Sequence, residues 1–375
     1  MSSLYFQNRL TDEELKQRAI SRKLDLRGAY FRDSTAIIHS NPFRRLKHKT
    51  QVFFAPKNDH ICTRIEHVMH VASISATICR ALDLDGDLAW AIGLGHDLGH
   101  APFGHTGEEI LSALMQKHAI GPKCFYHELY SLRVVDKLAN QGEGLNLTYG
   151  VRDGIVNHCG EKHEQYIAPS FAAVNLSALT SRSQNPASWE GCVVRMSDKI
   201  AYVGRDLEDA LQLNLISLEQ VPTEVVSILG SNNGKIINAL VSDIIENSLK
   251  TNQLGFSDRI YQAFLALKDF NIKNIYRNQK LHGYHSNLER ILVTLFNYLA
   301  EIFDRYGYEK ELYNKENNGL ALRFADYLTK MQPLYEKWGE TPLYGVIDYI
   351  AGMSDDFAID AINQILTPNA FEKLF

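Results

Sequence analysis

LAWAIGLGHDLGHAPFGH, residues 88–105, changes character halfway along. Its first half is apolar on every side, as a helix buried on all faces must be. Its second half sets three histidines and an aspartate into the ten residues 96–105, where Pro102 and Gly104 interrupt the helical pattern. Polar side chains at the buried end of such a helix need partners, because an unpaired one costs about 1–3 kcal/mol. A metal site or a proton relay would supply them.

Outward from this stretch the periodicity is helical nearly throughout. Apolar residues at 61, 65, 68, 69, 72, 76 and 78 follow the 3–4 spacing of a half-buried helix from about His60 to Leu82. The acidic turn DLDGD at 83–87 ends it, and the apolar helix then runs into the histidine motif. Thr11 and Glu14 form a capping-box pattern that opens an earlier helix. Further helices are expected near 107–118, 127–141, 149–158, 188–213, 222–230, 235–250, 258–268, 284–305 and 318–330, with a kinked last helix over 348–362. TQVFF at 50–54 is the main strand candidate, and SRSQNPAS at 181–188 and SNNGK at 231–235 read as loops. Residues 4–7, LYFQ, resemble part of a protease-cleavage tag and are set aside. The pattern predicts an all-α fold.

Composition narrows the function classes. The 375 residues are 45% hydrophobic with a formal net charge of -5, so no global basic field recruits nucleic acid. The local cluster FRRLKHK at 43–49 keeps a small anionic ligand in play. Five cysteines, at 62, 79, 124, 159 and 192, form no C-x-x-C, which argues against a disulfide framework and a thiolate zinc site. No apolar run approaches the roughly 20 residues of a membrane span, and no secretory signal opens the chain. The expectation is a soluble, cytoplasmic protein without membrane contact.

Candidate chemistry gathers on three helices. Arg64 and His67 are three apart and share a face, with Glu66 and His70 nearby. His96-Asp97 follow on the next helix, with His100 one turn beyond. Downstream, RMSDKIAYVGRDLEDAL at 195–211 aligns Asp198, Tyr202 and Asp206 at spacings of four, beside Lys199 and Arg205. Two imidazoles and two carboxylates suit a borderline or hard divalent ion.

The order H…HD…D on successive helices resembles the HD-domain metal-dependent phosphohydrolases, and in detail their deoxynucleoside triphosphate triphosphohydrolase (dGTPase) branch. The resemblance rests on NPFRRLKHKTQVF (41–53), TRIEH (63–67), GHDLGHAPFGHTGEE (95–109), FYHELYSLRVV (125–135), GLNLTYGVRDGIVNH (144–158), RMSDKIAYVGRDLEDAL (195–211) and DYIAGMSDDFA (348–358). It implies a single helical domain over 1–375, with an HD core over about 40–215 and a helical C-terminal extension over about 216–375. It implies metal ligands His67, His96, Asp97 and Asp198, with Mn2+ or Mg2+ preferred and Fe2+, Co2+ or Ni2+ accepted. His105, Glu108, His127 and His100 are implied in proton transfer around the α-phosphorus. Arg64, Lys199 and, in IYRNQK, Arg277 are assigned to the triphosphate. Gln51 and Asp206 are assigned to the 3′-hydroxyl, and Tyr202 to stacking beneath the deoxyribose.

The implied reaction is hydrolysis of dGTP, or other dNTPs, to deoxynucleoside and tripolyphosphate. The resemblance also implies a homo-oligomer, often a hexamer, and a dNTP or single-stranded DNA effector in some members. No G-x-x-x-x-G-K-[ST] occurs, which excludes a P-loop enzyme. The alternatives are an HD phosphohydrolase of nucleoside monophosphates, cyclic nucleotides or (p)ppGpp, and a non-catalytic nucleotide or single-stranded DNA sensor. His158 is a candidate for the pocket wall. Asn146 and Thr148 fit a helix start as well as a ligand contact.

Overall fold

Caps and apolar stripes place the helices. A computed structural model describes residues 5–23, 25–51, 61–160, 164–181 and 184–367. α1 (Asp12–Lys16) opens on the expected capping box, the Thr11 hydroxyl accepting from the Glu14 N–H and the Glu14 carboxylate from the Thr11 N–H. α2 (Ala29–Ile38) and α3 (Asn41–Arg45) follow, neither of them expected from the periodicity. α4 (Arg64–Ala81) begins where the Glu66 carboxylate accepts the Thr63 N–H at 2.8 Å. α5 (Gly86–Gly95) is capped by Asp85, whose carboxylate accepts the N–H groups of Asp87 and Leu88.

α6 (Gly104–Lys117) and α7 (His127–Arg133) come next, α7 running on through a π turn, Val134–Leu138, into the short α8 (Ala139–Gly142). The chain then forms α9 (Tyr149–Val156), the long α10 (Trp189–Gln212), α11 (Thr223–Leu229), α12 (Asn233–Thr251) and α13 (Asp258–Asn271). A second π turn, Ile272–Tyr276, continues α13 before α14 (Gln279–Tyr306), α15 (Gly319–Trp338), α16 (Pro342–Ala351) and α17 (Asp355–Leu366). Tyr166–Ile167 pairs antiparallel with Leu254–Gly255. The class is all-α, as the pattern predicts.

α5 is the hub. α4, α10, α2 and α9 all pack on it, so its apolar-all-round sequence is buried from every side. A Cβ at Gly93 would lie 2.6 Å from the Ala72 Cα, so only glycine lets α4 and α5 cross this closely. α14 and α16 pack on α6, so the C-terminal helices brace the helix that follows the histidine motif.

Three expectations are corrected. α5 stops at Gly95 rather than carrying His96-Asp97 to His100; His96 caps it, and tight turns then take over (Leu98 N–H to Gly95 O, His100 N–H to Asp97 O). A side chain at Gly99 would strike the Ser131 backbone, which fixes that loop against α7. The last helix is broken, not kinked: α16 and α17 are separate, and the Ser354 side chain caps α17 by accepting the Phe357 N–H. The segment set aside at the start contributes Phe6 to the core, edge-on to Trp189 at 5.1 Å. Of the strand candidate 50–54, residues 52–54 lie outside the described residues; Thr50 makes one bridge, to Thr63.

Candidate active site

The centre forms where α4, the end of α5 and α10 meet. His96 Nδ1 lies 2.7 Å from the Gly93 carbonyl, so the ring proton resides there and the lone pair on Nε2 faces inward. That Nε2 is buried and has no hydrogen-bond partner. Around it stand Asp198 Oδ1 at 3.8 Å and Asp97 Oδ1 at 3.9 Å, and His67 Nε2 is 3.0 Å from the same Asp198 oxygen. An orphaned imidazole lone pair among two carboxylates and a second imidazole fits a divalent cation. His67, His96 and Asp198 offer ligand atoms within 4.8 Å of one another, as do His96, Asp97 and His158.

The electrostatics of His96, Asp97 and Asp198 fit this, while at His67 burial is overridden by the Asp198 carboxylate, which draws the pKa up and shares the proton that an ion would displace. Burial pushes the His96 pKa down to about 4, leaving it neutral, as a ligand must be. Burial works against charge on Asp97, yet Arg64 beside it holds the carboxyl well below the usual range. Burial likewise opposes Asp198, and His67 overrides it, holding Asp198 low. Arg64 Nη1 is 2.6 Å from Asp97 Oδ2 and its Nη2 is 3.4 Å from the Gln51 carbonyl. Arg64 thus fixes one oxygen of Asp97 and leaves the other toward His96.

A second cluster borders the first. Glu108, on α6, is 3.2 Å from His127 Nδ1 at the start of α7. His127 Nε2 is 3.3 Å from His158 Nε2, and His158 Nδ1 is 2.7 Å from the Ile155 carbonyl. Tautomer logic follows. His158 donates from Nδ1, so its Nε2 accepts and His127 Nε2 donates; His127 Nδ1 donates to the carboxylate. Both His127 nitrogens therefore carry protons. Burial opposes this charge, but Glu108 and Glu128 hold the His127 pKa well above the ordinary value. His100 stacks on His127 with ring centres 4.4 Å apart, and its Nδ1 lies 2.8 Å from Glu108 Oε1 without hydrogen-bond alignment. His105 is different: its side chain is 75% exposed, with Nδ1 3.6 Å from Glu108 Oε1, at the mouth of the cluster.

α10 supplies the third wall. Asp198, Lys199, Tyr202 and Asp206 share it, and burial lowers the Lys199 pKa. Asp206 is buried; burial pushes its pKa up to about 7 against a hydrogen bond from the Tyr276 hydroxyl to Oδ2. Its Oδ1 and the Gln51 Oε1 are both buried without hydrogen-bond partners. Tyr202 is half-buried between Asp198 and Asp206.

Thus His67, His96, Asp97 and Asp198 converge, as do His100, Glu108 and His127, with His105 at the rim. Arg277 is exposed at the end of the second π turn, and its neighbour Tyr276 is the residue that reaches Asp206. Sequence reasoning missed Tyr276, because a π turn leaves no periodic signature; adjacency to Arg277 was the sole pointer. His158 does line the cluster. Thr148 stands at the N-terminal boundary of α9 with its hydroxyl donating to Asp33, and Asn146 bonds the Ile20 backbone, so both are structural. The cysteines are free. Among the described residues no helix is long and apolar enough to cross a membrane.

The chain is similar in sequence to known proteins. The HD domain family matches residues 64–202, and the phosphohydrolase-associated domain matches residues 254–364. A deoxyguanosinetriphosphate triphosphohydrolase-like protein of Caldanaerobacter subterraneus subsp. tengcongensis is 38% identical over 351 residues, covering 92% of this chain and 87% of its own. Proteins of the same name from Desulfatibacillum aliphaticivorans and Clostridium tetani are 36% and 35% identical, covering 92% and 95% of this chain and 89% and 91% of theirs.

Proposed function

The chain belongs to the HD-domain phosphohydrolase family, among the deoxyguanosinetriphosphate triphosphohydrolase-like proteins, and from that premise we propose that it hydrolyses dNTPs, dGTP first, to deoxynucleoside and tripolyphosphate. One observation carries the reading: donors that the sequence separates by up to 131 residues converge on the unpartnered Nε2 of His96, beside a histidine that holds two protons.

His67, His96, Asp97 and Asp198 would hold the divalent ion, Mn2+ or Mg2+. Such an ion supplies Lewis-acid polarisation of a phosphoryl oxygen and a lowered pKa for water. The chain's own groups do the rest. His127 holds a proton on Nε2, kept there by the Glu108 carboxylate on its other nitrogen, and delivers it to the departing 5′-oxygen. His105, exposed at the rim, is placed to exchange protons with solvent. Arg64 and Lys199 neutralise phosphate charge, Arg through its planar fork and Lys as a point charge. Gln51 Oε1 and Asp206 Oδ1 are buried, unpartnered oxygens facing the sugar 3′-hydroxyl, one accepting its single proton and a protonated Asp206 able to donate to its oxygen. Tyr202 lies beneath the sugar, where a ribo 2′-hydroxyl would be buried unpaired.

The test is product analysis by anion exchange with dGTP and Mn2+ or Mg2+, wild type against His96→Ala/Asp97→Ala. Deoxyguanosine and tripolyphosphate, lost in the variant, are expected. Production of dGDP or dGMP overturns the cleavage position.

A further inference from the structure

We propose that Cys159, His158 and His127 form a second metal site, beside the His/Asp centre, that takes a thiophilic divalent cation such as zinc and, when filled, removes His127 from proton transfer. Its binding is independent of the catalytic reading; the inhibitory consequence rests on it.

The three residues offer one ligand atom each within 4.8 Å of one another. The two imidazoles already stand at a zinc spacing, with Nε2 to Nε2 at 3.3 Å. In a tetrahedron the edge is about 1.6 times the bond, so zinc–nitrogen bonds of about 2.0–2.1 Å give an edge of about 3.3–3.4 Å. An octahedral magnesium with bonds of about the same length needs a shorter edge, about 2.9 Å. The 3.3 Å separation, spanned by the His127-to-His158 hydrogen bond, is close to the tetrahedral edge, so a tetrahedral ion could replace the shared proton with little movement of either ring.

Each histidine also has the backing that metal ligands carry on the far nitrogen. His158 Nδ1 is anchored on the Ile155 carbonyl at 2.7 Å, and His127 Nδ1 on the Glu108 carboxylate at 3.2 Å. Both Nε2 atoms are therefore fixed in place and turned toward each other, in side chains only 1% and 3% exposed as residues. Cys159 is a free, half-buried thiol next in sequence to His158. The thiolate is what separates this site from its neighbour. A sulfur ligand favours zinc or cobalt over magnesium and manganese, whereas the adjacent donors are all nitrogen and oxygen.

Binding exchanges protons for the ion with no redox change. The cation displaces the Cys159 thiol proton and the His127 Nε2 proton, both leaving to solvent. The proton lost from His127 is the one destined for the 5′-oxygen, so occupancy and turnover exclude each other.

The experiment uses the full chain with excess Mn2+, titrated with Co2+ as an optical probe. A near-ultraviolet thiolate-to-cobalt absorption is expected in wild type and in Cys124→Ser, and its loss in both Cys159→Ser and Cys159→Ala. Zinc should bleach the band, and should inhibit tripolyphosphate release at least tenfold more strongly in wild type than in the Cys159 variants, each form being compared with its own zinc-free rate. Absence of the band in wild type, its persistence in the Cys159 variants, or equal zinc inhibition in all forms overturns the proposal. Should no form hydrolyse dNTPs, the proposed function fails and the cobalt band still decides the site.

Discussion

Phe103 donates its backbone N–H to Asp355 Oδ1 at 2.9 Å, joining the loop before α6 to the first turn of α17 across 252 residues. The other carboxylate oxygen accepts the Thr50 N–H at 3.0 Å and the Thr50 hydroxyl at 2.8 Å. One buried side chain thus ties the residue before Gln51 to the residue before the helix of His105 and Glu108. Phe103 needs the tie, since it sits in the left-handed region at φ 65°, a conformation that costs a non-glycine residue about 1–2 kcal/mol. Lys49 adds a parallel link, its ammonium donating to the carbonyls of His100 and Ala351.

Asp355 is therefore a positioning residue. Asp355→Asn places an amide against one of the donors it now accepts, at a cost of about 1–3 kcal/mol. The expected result is a kcat at least tenfold lower, a Tm lower by several degrees and an unchanged metal content. Steady-state kinetics, thermal melts and metal analysis check it; an unchanged kcat would show that the loop holds its place without the carboxylate.

The metal set makes a separate prediction. Asp198→Asn and His96→Ala should each lower bound divalent metal well below one ion per chain, with activity falling at least a hundredfold. Chelation of wild type should lower both activity and Tm, since the ion binds the folded state alone. Metal analysis after gel filtration reads this directly, and full metal occupancy in His96→Ala would refute its role as a ligand.

How much of this was legible in the sequence depends on whether a feature is local. α4 and α10 carry 3–4 apolar spacing and α5 is apolar on every side, so the existence of all three helices could be read directly, and the HD pattern named the four donors proposed as ligands. The stop of α5 at Gly95 could not be read, because it is enforced by contact of Gly99 with the Ser131 backbone, a partner 32 residues away. Tyr276 was hidden by its π turn. The roles of Asp348 and Asp355 in DYIAGMSDDFA needed the fold: Asp348 accepts from the Tyr130 and Tyr335 hydroxyls and from Arg133, and Asp355 from Thr50 and Phe103. Both bind α7 and the histidine loop to the C-terminal helices, which no local pattern announces.

Glu108→Gln tests the proton inventory at His127. The amide keeps the side-chain volume but removes the charge that favours imidazolium. The His127 pKa then falls, and the proton it donates is lost at lower pH. The pH–rate profile should lose its alkaline limb earlier than wild type does, with kcat down by a factor of about 10²–10⁴ and metal content unchanged. A limb that stays in place would mean that another group supplies the proton.

Tyr202 sets sugar selectivity if it packs against C2′. Tyr202→Ala opens that space, so discrimination between dGTP and GTP should drop by roughly ten- to a hundredfold, the equivalent of about 1–3 kcal/mol for the buried hydroxyl. Tyr276→Phe should instead raise KM for both nucleotides alike, because it frees Asp206 Oδ2 without touching C2′. The ratio of kcat/KM values separates the two effects.

Stability carries its own pH signature, away from the metal centre. Asp153 on α9 is buried, accepting the Ala187 N–H at 2.7 Å and the Asn157 amide at 3.0 Å. Burial pushes its pKa from 3.8 up to about 7, with those hydrogen bonds acting against it. A carboxyl raised on folding favours the protonated folded state. Its contribution is fully present below the unfolded value of 3.8 and is lost as pH rises through about 7. Asp153→Asn cannot ionise, so its Tm should fall less than that of wild type between about pH 4 and pH 8. The readout is the slope, not the absolute Tm, which the variant lowers by giving up one of two accepted hydrogen bonds. Asp206, with its pKa also near 7, tilts both proteins in the same direction, so the difference between the two curves isolates Asp153. Parallel curves would mean that Asp153 is charged, and stabilised as such, throughout that range.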